Sequence, residues 1–172
     1  MSVKDFVQQR RDDFIALRRD FHMYPEPAWL EYRSAAKVAE KLIALGYDVA
    51  LGAEVLDLDS RMGLPSEDVM KAAMARAMDE GADPELVEKM GYGKTAIVAT
   101  MKFSDDGPVV AFRADMDSND VIESKASNHI PAKNGFRSRH EKAMHACGHD
   151  THMTMGLGLA EYIATHKEGL KG

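Results

Sequence analysis

The chain has 172 residues, 45% of them hydrophobic and 29% charged, with a formal net charge of −6. That size supports one domain with a real core, and interspersed acidic and basic residues argue against a nucleic-acid surface. The single cysteine excludes an internal disulfide and fits a reducing compartment. Met1-Ser2-Val3-Lys4-Asp5 lacks an apolar signal region, and no run of about 18 apolar residues is present to span a membrane, so the expected setting is cytoplasmic.

Ser2 and Asp5 have capping-box character, and Val7, Phe14, Leu17 and Phe21 recur at helical spacing. The expected amphipathic helix ends near Tyr24-Pro25, because a residue before proline leaves the helical region. His22, at its C-terminal end, reads as a dipole partner or a hydrogen-bonded structural group. After the rigid turn Pro25-Glu26-Pro27, a second helix is expected from Glu31 to Leu45. Gly46 stops it, and a short strand follows over Tyr47 to Leu51.

Residues 52–92 change character. Ser66 is placed as an N-cap, and Met70, Met74 and Met78 follow at i, i+4 and i+8, a spacing that favours a packing face. Asp83-Pro84 opens a further short helix that ends near Gly91. The whole stretch reads as a helical insertion between two strands. Lys94–Phe103 and Val109–Phe112, joined by a polar five-residue turn, are expected to form a hairpin. The second run is apolar on both faces and is expected inside the sheet, delivering Arg113, Asp115 and Asp117 at its C-terminal end. Residues 118–142 are polar and irregular, with His129 and His140 among them, and structureless stretches of this length are usually functional or disordered. The last helix follows residue 148, where Gly156 and Gly158 are expected to allow close approach to a sheet.

Chemistry concentrates in Met144-His145-Ala146-Cys147-Gly148-His149-Asp150-Thr151-His152. It holds the one cysteine and three of seven histidines, and thiolate and imidazole are the ligands a borderline-soft divalent metal prefers. Cys147 and His149 are the candidate metal ligands, with Asp115 and Asp117 arriving from a strand end that could face them. A cysteine-hydrolase reading, with Cys147 as nucleophile and a histidine as base, stays open beside it. Metal-assisted hydrolysis also needs a general base, and Glu161 and Glu168 read as solvated helix residues.

Three stretches resemble, in order, the aminoacylase-type metallopeptidases and amidohydrolases. They are Arg18-Arg19-Asp20-Phe21-His22 with Pro25-Glu26 and Glu31; Phe112-Arg113-Ala114-Asp115-Met116-Asp117; and the Met144–Asp150 motif with His152. The branch resembled holds hippurate, indoleacetyl-amino-acid and aminobenzoyl-glutamate hydrolases. Within the insertion, Asp59-Ser60-Arg61-Met62-Gly63-Leu64-Pro65 is similar to the A-subunit type of aminobenzoyl-glutamate hydrolase. Ser118-Asn119 stands where the family usually has Ala-Leu.

The resemblance implies a three-layer α/β/α zinc-peptidase-like catalytic domain, of which residues 1–172 form the N-terminal part, with 52–92 as the helical insertion. It implies a centre of two Zn²⁺ or Mn²⁺ ions and cleavage of an acyl-amino-acid amide, p-aminobenzoyl-glutamate being the expected substrate. Cys147 and His149 would be ligands. Asp117 would orient the site, and Asp115, Asp150 and His152 would stand behind the ligands or line the pocket. The general-base glutamate, the remaining ligands and the lid and dimerisation domain are expected outside this stretch. The chain is therefore expected to be inactive alone, and to self-associate or pair with a homologous B subunit. The alternative is a catalytically silent metal-binding or interaction remnant.

Overall fold

The computed structural model describes residues 1–172. The N-terminal amphipathic segment forms two helices, α1 (Val3–Gln9) and α2 (Arg11–Met23), where one was expected. The break falls at Arg10, whose φ of −95° and ψ of 6° leave the helical region. Ser2 caps α1 by accepting from the Asp5 amide. α2 ends at Met23, and Tyr24 closes it before the proline turn.

Helix α3 (Tyr32–Ala44) starts where two backbone amides, Arg33 N and Ser34 N, donate to the Glu26 carboxylate at 2.9 and 2.7 Å. These are first-turn donors with no partner inside the helix, so a carboxylate from the preceding turn satisfies them. Gly46, at φ 83°, reverses the chain as the terminating glycine.

Strand β1 (Asp48–Leu51) follows, with a 3₁₀ turn at Gly52–Glu54. Helices α4 (Glu67–Asp79) and α5 (Pro84–Lys89) occupy the 52–92 segment. Ser66 holds the N-cap position of α4 without a side-chain bond, whereas Asp83 caps α5 through the Glu85 and Leu86 amides. Met70 is buried, and Met74 and Met78 pack against the same core as Tyr32, Ala35, Ala39 and Val87. The methionine stripe is a packing face.

Strand β2 (Ile97–Thr100) pairs antiparallel with β1, in the register Asp48↔Thr100 to Leu51↔Ile97. The expected hairpin between 94–103 and 109–112 does not form. β2 finds its partner in β1, on the far side of the helical segment. Val109, Val110 and Phe112 stand 98%, 65% and 69% exposed, not inside a sheet. The reason is physical: strand pairing is non-local, and an apolar run marks a strand without naming its neighbour. Where the turn was expected, Phe103 N donates to Gly172 O, tying residues 101–106 to the far end of the chain.

After a one-turn helix, α6 (Ile130–Lys133), the chain closes with α7 (His149–Thr165). A second core of Phe21, Met153 and Leu157 joins α2 to α7, with Leu17, Val38, Leu42 and Met116 against it. Burying each of these large side chains contributes about 1.5–3 kcal/mol. A Cβ on Gly156 would lie 3.3 Å from Ala114 Cβ, so this glycine lets α7 approach the segment that carries Asp115. Gly158 faces the Phe14 ring of α2, not a strand. The result is an α/β fold in which α7 is pinned between α2 and the Asp115–Asp117 segment.

Candidate metal centre

Gly148 precedes α7 at φ 80°, a left-handed conformation that suits glycine and sets the direction in which His149 leaves the turn. Asn119 holds the turn from behind. Its backbone exchanges bonds with Met144 at 3.0 and 3.1 Å, and its side-chain oxygen accepts from the Cys147 amide at 3.1 Å. Asn119 is thus a structural support for the motif.

His149 Nδ1 lies 2.7 Å from the Asp117 carbonyl oxygen and 3.0 Å from Asp117 Oδ1. Both oxygens accept, so Nδ1 carries the proton and the lone pair sits on Nε2. That is the tautomer a metal ligand needs. The His152 ring stacks on that of His149 with centroids 5.0 Å apart, and His152 Nδ1 lies 3.9 Å from Asp115 Oδ2. The other Asp115 oxygen accepts from Arg113 Nε at 2.8 Å. One ligating atom from each of Asp115, His149 and His152 lies within 4.8 Å of the others. Cys147 is exposed and lies outside this group of three.

Asp150 points the other way, into the protein. It is fully buried and takes His22 Nδ1 at 2.7 Å and Arg18 Nε at 2.9 Å on Oδ2. His22 Nε2 reaches Glu123 Oε1 at 2.9 Å, and His129 Nε2 reaches the same oxygen at 2.8 Å. Both ring nitrogens of His22 therefore face carboxylates that can only accept, which calls for the imidazolium. Burial opposes that charge, yet the bonds to Asp150 and Glu123 outweigh it and raise the His22 pKa above 6.5. His22, Glu123 and His129 escape sequence reading as a unit because their separations along the chain carry no local signal.

His129 and His140 are both held by hydrogen bonds to carboxylates. His140 bonds Pro25 O at 2.7 Å and Glu80 at 2.8 Å. His145 is buried with neither ring nitrogen paired, and desolvation lowers its pKa to about 4, so it is neutral.

Beside Asp115 and Asp117 opens a cleft of about 380 Å³, lined also by Trp29, Glu31 and Thr95. The Glu31 carboxylate accepts from Thr95 Oγ1 at 2.6 Å. Trp29 holds a positive φ of 68°, and its indole donates to Met62 O at 2.9 Å, so residue 62 supports the cleft wall. Burial lifts the Glu31 pKa above its ordinary value. No helix is long and apolar enough to cross a membrane.

Residues 111–172 match the model of Peptidase family M20/M25/M40. Over 171 residues the chain is 44% identical to the A-subunit of the p-aminobenzoyl-glutamate hydrolase of Escherichia coli, covering 99% of this chain and 39% of that protein. It is 42% identical over 170 residues to the indole-3-acetyl-aspartic acid hydrolase of Enterobacter agglomerans, with the same coverage of both. The crystal structure of an aminobenzoyl-glutamate utilization protein from Klebsiella pneumoniae superposes with a TM-score of 0.80 at 34% identity, over 100% of this chain and 37% of that one. The chain spans about two fifths of the length of these relatives. Residues 111–172 thus carry the likeness to Peptidase family M20/M25/M40, and the chain as a whole is similar in sequence and fold to about two fifths of such hydrolases.

Proposed function

We propose that the chain supplies one half of the active site of a metal-dependent amidohydrolase that cleaves the amide between an acyl group and an amino acid. The expected substrate is p-aminobenzoyl-glutamate. The observation that carries this is the free Nε2 of His149, fixed by the bonds from Nδ1 to Asp117. A second line of support is similarity to hydrolases of aminobenzoyl-glutamate and indoleacetyl-aspartate.

Cys147 and His149 are the proposed metal ligands, with Zn²⁺ or Mn²⁺ as the ion and two ions in the complete centre. Imidazole and thiolate donors suit such cations, and the carboxylates of Asp115 and Asp117 supply compensating charge. A bound ion supplies the Lewis acidity that activates water and polarises the amide carbonyl. Of this chain's own residues, Asp117 orients His149, Asp150 anchors the first turn of α7 through His22 and Arg18, and His152 lines the site. The cleft beside Asp115 and Asp117 offers room for part of the substrate.

Hydrolysis also needs a carboxylate over the bound water. We assign that group, and the lid and dimerisation domain, to sequence beyond these 172 residues, so the chain alone is expected to be inactive. Residues 52–92 are proposed as a helical insertion on the catalytic domain. A homologous B-type partner or a second copy of this chain is the proposed partner, and the cytoplasm the proposed setting.

The test is co-expression of the chain with the remaining three fifths of the Escherichia coli relative, followed by assay of p-aminobenzoate release. Chelator-sensitive hydrolysis that His149→Ala abolishes is expected. Activity that persists in chelator would instead favour Cys147 as a nucleophile.

A further inference from the structure

The cleft beside Asp115 and Asp117 has one aromatic residue in its lining, Trp29, and three carboxylates, those of Glu31, Asp115 and Asp117. No lysine or arginine lines it, and alanines supply most of the remaining wall. Such a wall repels the carboxylates of an amino acid, whereas a flat apolar ring finds a partner in the indole. Trp29 is also held in an unusual way. Trp29 and Tyr92 are the two non-glycine residues with positive φ, at 68° and 63°. Bulky side chains seldom adopt that conformation, and it persists where the surroundings enforce it. Here the 52–92 segment does so. Met62 O accepts from the Trp29 indole at 2.9 Å, and Arg61 Nη1 donates to the Tyr92 and Gly93 carbonyls at 2.9 and 3.2 Å. Gly93 N donates to the buried Tyr32 hydroxyl at 2.9 Å, which roots the group in the core. A Cβ on Gly93 would lie 2.8 Å from Leu64 Cδ2 and 3.5 Å from Trp29 Cβ, so the segment closes tightly on this tryptophan.

We infer that Trp29 is a specificity-determining residue: its indole packs against an aromatic acyl group, and the 52–92 segment, through Arg61 and Met62, fixes the ring at the cleft. The inference rests on the amidohydrolase reading above and adds which half of the substrate this chain receives. The aryl acyl group enters the cleft, and the carboxylates of the amino acid point away from Glu31, Asp115 and Asp117. An alkyl acyl group gains no ring-to-ring contact with the indole, so the preference is for aryl over alkyl substrates.

Trp29 is the sole tryptophan of the chain, so indole emission reports on this wall. The purified 172-residue chain is titrated with benzamide, a neutral aryl amide, and with acetamide, its alkyl counterpart. Saturable quenching by benzamide and none by acetamide is expected, and Arg61→Ala is expected to weaken the benzamide response. In the co-expressed hydrolase, kcat/KM is then measured for p-aminobenzoyl-glutamate and for acetyl-glutamate. Trp29→Leu is expected to lower the ratio of the two about tenfold, the upper end of what an aromatic pair contributes, and Trp29→Phe to restore most of it. Circular dichroism verifies that each variant is folded. Emission indifferent to benzamide, or a substrate ratio that Trp29→Leu leaves unchanged, would overturn the inference. Benzamide quenching in a protein that hydrolyses neither substrate would sustain the aryl contact and overturn the amidohydrolase reading, so the two ideas fail separately.

Discussion

His22 and Asp150, 128 residues apart, meet at 2.7 Å in the interior, and this contact ties the C-terminal end of α2 to the first turn of α7. Glu123 takes the other face of the same ring. The helix turn that presents His149 is therefore positioned from behind by a buried, charged hydrogen-bonded group.

Replacing His22 with alanine leaves two buried carboxylates without their shared partner. Removing one member of a buried ion pair costs about 3–5 kcal/mol. His22→Ala is expected to lower the urea midpoint by a corresponding amount, whereas His166→Ala, on the surface end of α7, is expected to change little.

Stability is also expected to fall as pH rises above about 6.5. The folded state raises the His22 pKa above 6.5, so its contribution is fully present below that value and is lost as pH climbs through the raised pKa. Glu26 acts in the same direction. Burial lifts its pKa from 4.5 to about 7 against the two helix amides it accepts from, so the folded state holds this proton more tightly than the unfolded one. Its contribution declines between those two values and is level above them. His145, whose pKa burial lowers from 6.5 to about 4, acts the opposite way below pH 6.5. Glu26→Gln should therefore make the slope of Tm between pH 5 and 7 more positive, and the wild type should give a lower Tm at pH 8.5 than at pH 6.5. A Tm that rises across this range would contradict both assignments.

Glu26 has a second role that is independent of pH. Glu26→Ala strands the Arg33 and Ser34 amides in a buried setting, at about 1–3 kcal/mol for each unsatisfied group. Chemical denaturation of this variant is the check, with a surface change such as Glu67→Ala as reference.

Asp117 orients His149 without belonging to the group of Asp115, His149 and His152. Loss of such an orienting partner reduces metal affinity about 10–100-fold. Asp117→Ala removes the Oδ1 contact but keeps the backbone carbonyl at 2.7 Å. It is therefore expected to weaken Zn²⁺ binding only toward the low end of that range, about tenfold, while leaving the Tm of the metal-free chain nearly unchanged.

The motif around Cys147 is legible in the sequence because few residue types ligate metals and they stand close together. The boundaries of α3, α5 and α7 are legible from Gly46, Asp83-Pro84 and Gly148, which act locally. What escapes is everything joined over distance. No spacing connects His22 to Glu123, or Glu26 to the start of α3 as its carboxylate cap. The 109–112 run reads as an interior strand from its apolar character, but β pairing is decided by partners elsewhere in the chain, and β2 takes β1. The exposure of Val109, Val110 and Phe112 has a consequence of its own. An apolar extended run without a ladder partner invites association, so light scattering should show self-association that Val110→Lys with Phe112→Lys reduces.

The most direct measurement is release of p-aminobenzoate from p-aminobenzoyl-glutamate by the purified 172-residue chain, with and without Mn²⁺ or Zn²⁺. The prediction is metal binding without turnover, and metal-dependent turnover only when the rest of the relative's sequence is supplied. Robust Mn²⁺-dependent hydrolysis by the chain alone would contradict the assignment of half a site to these residues.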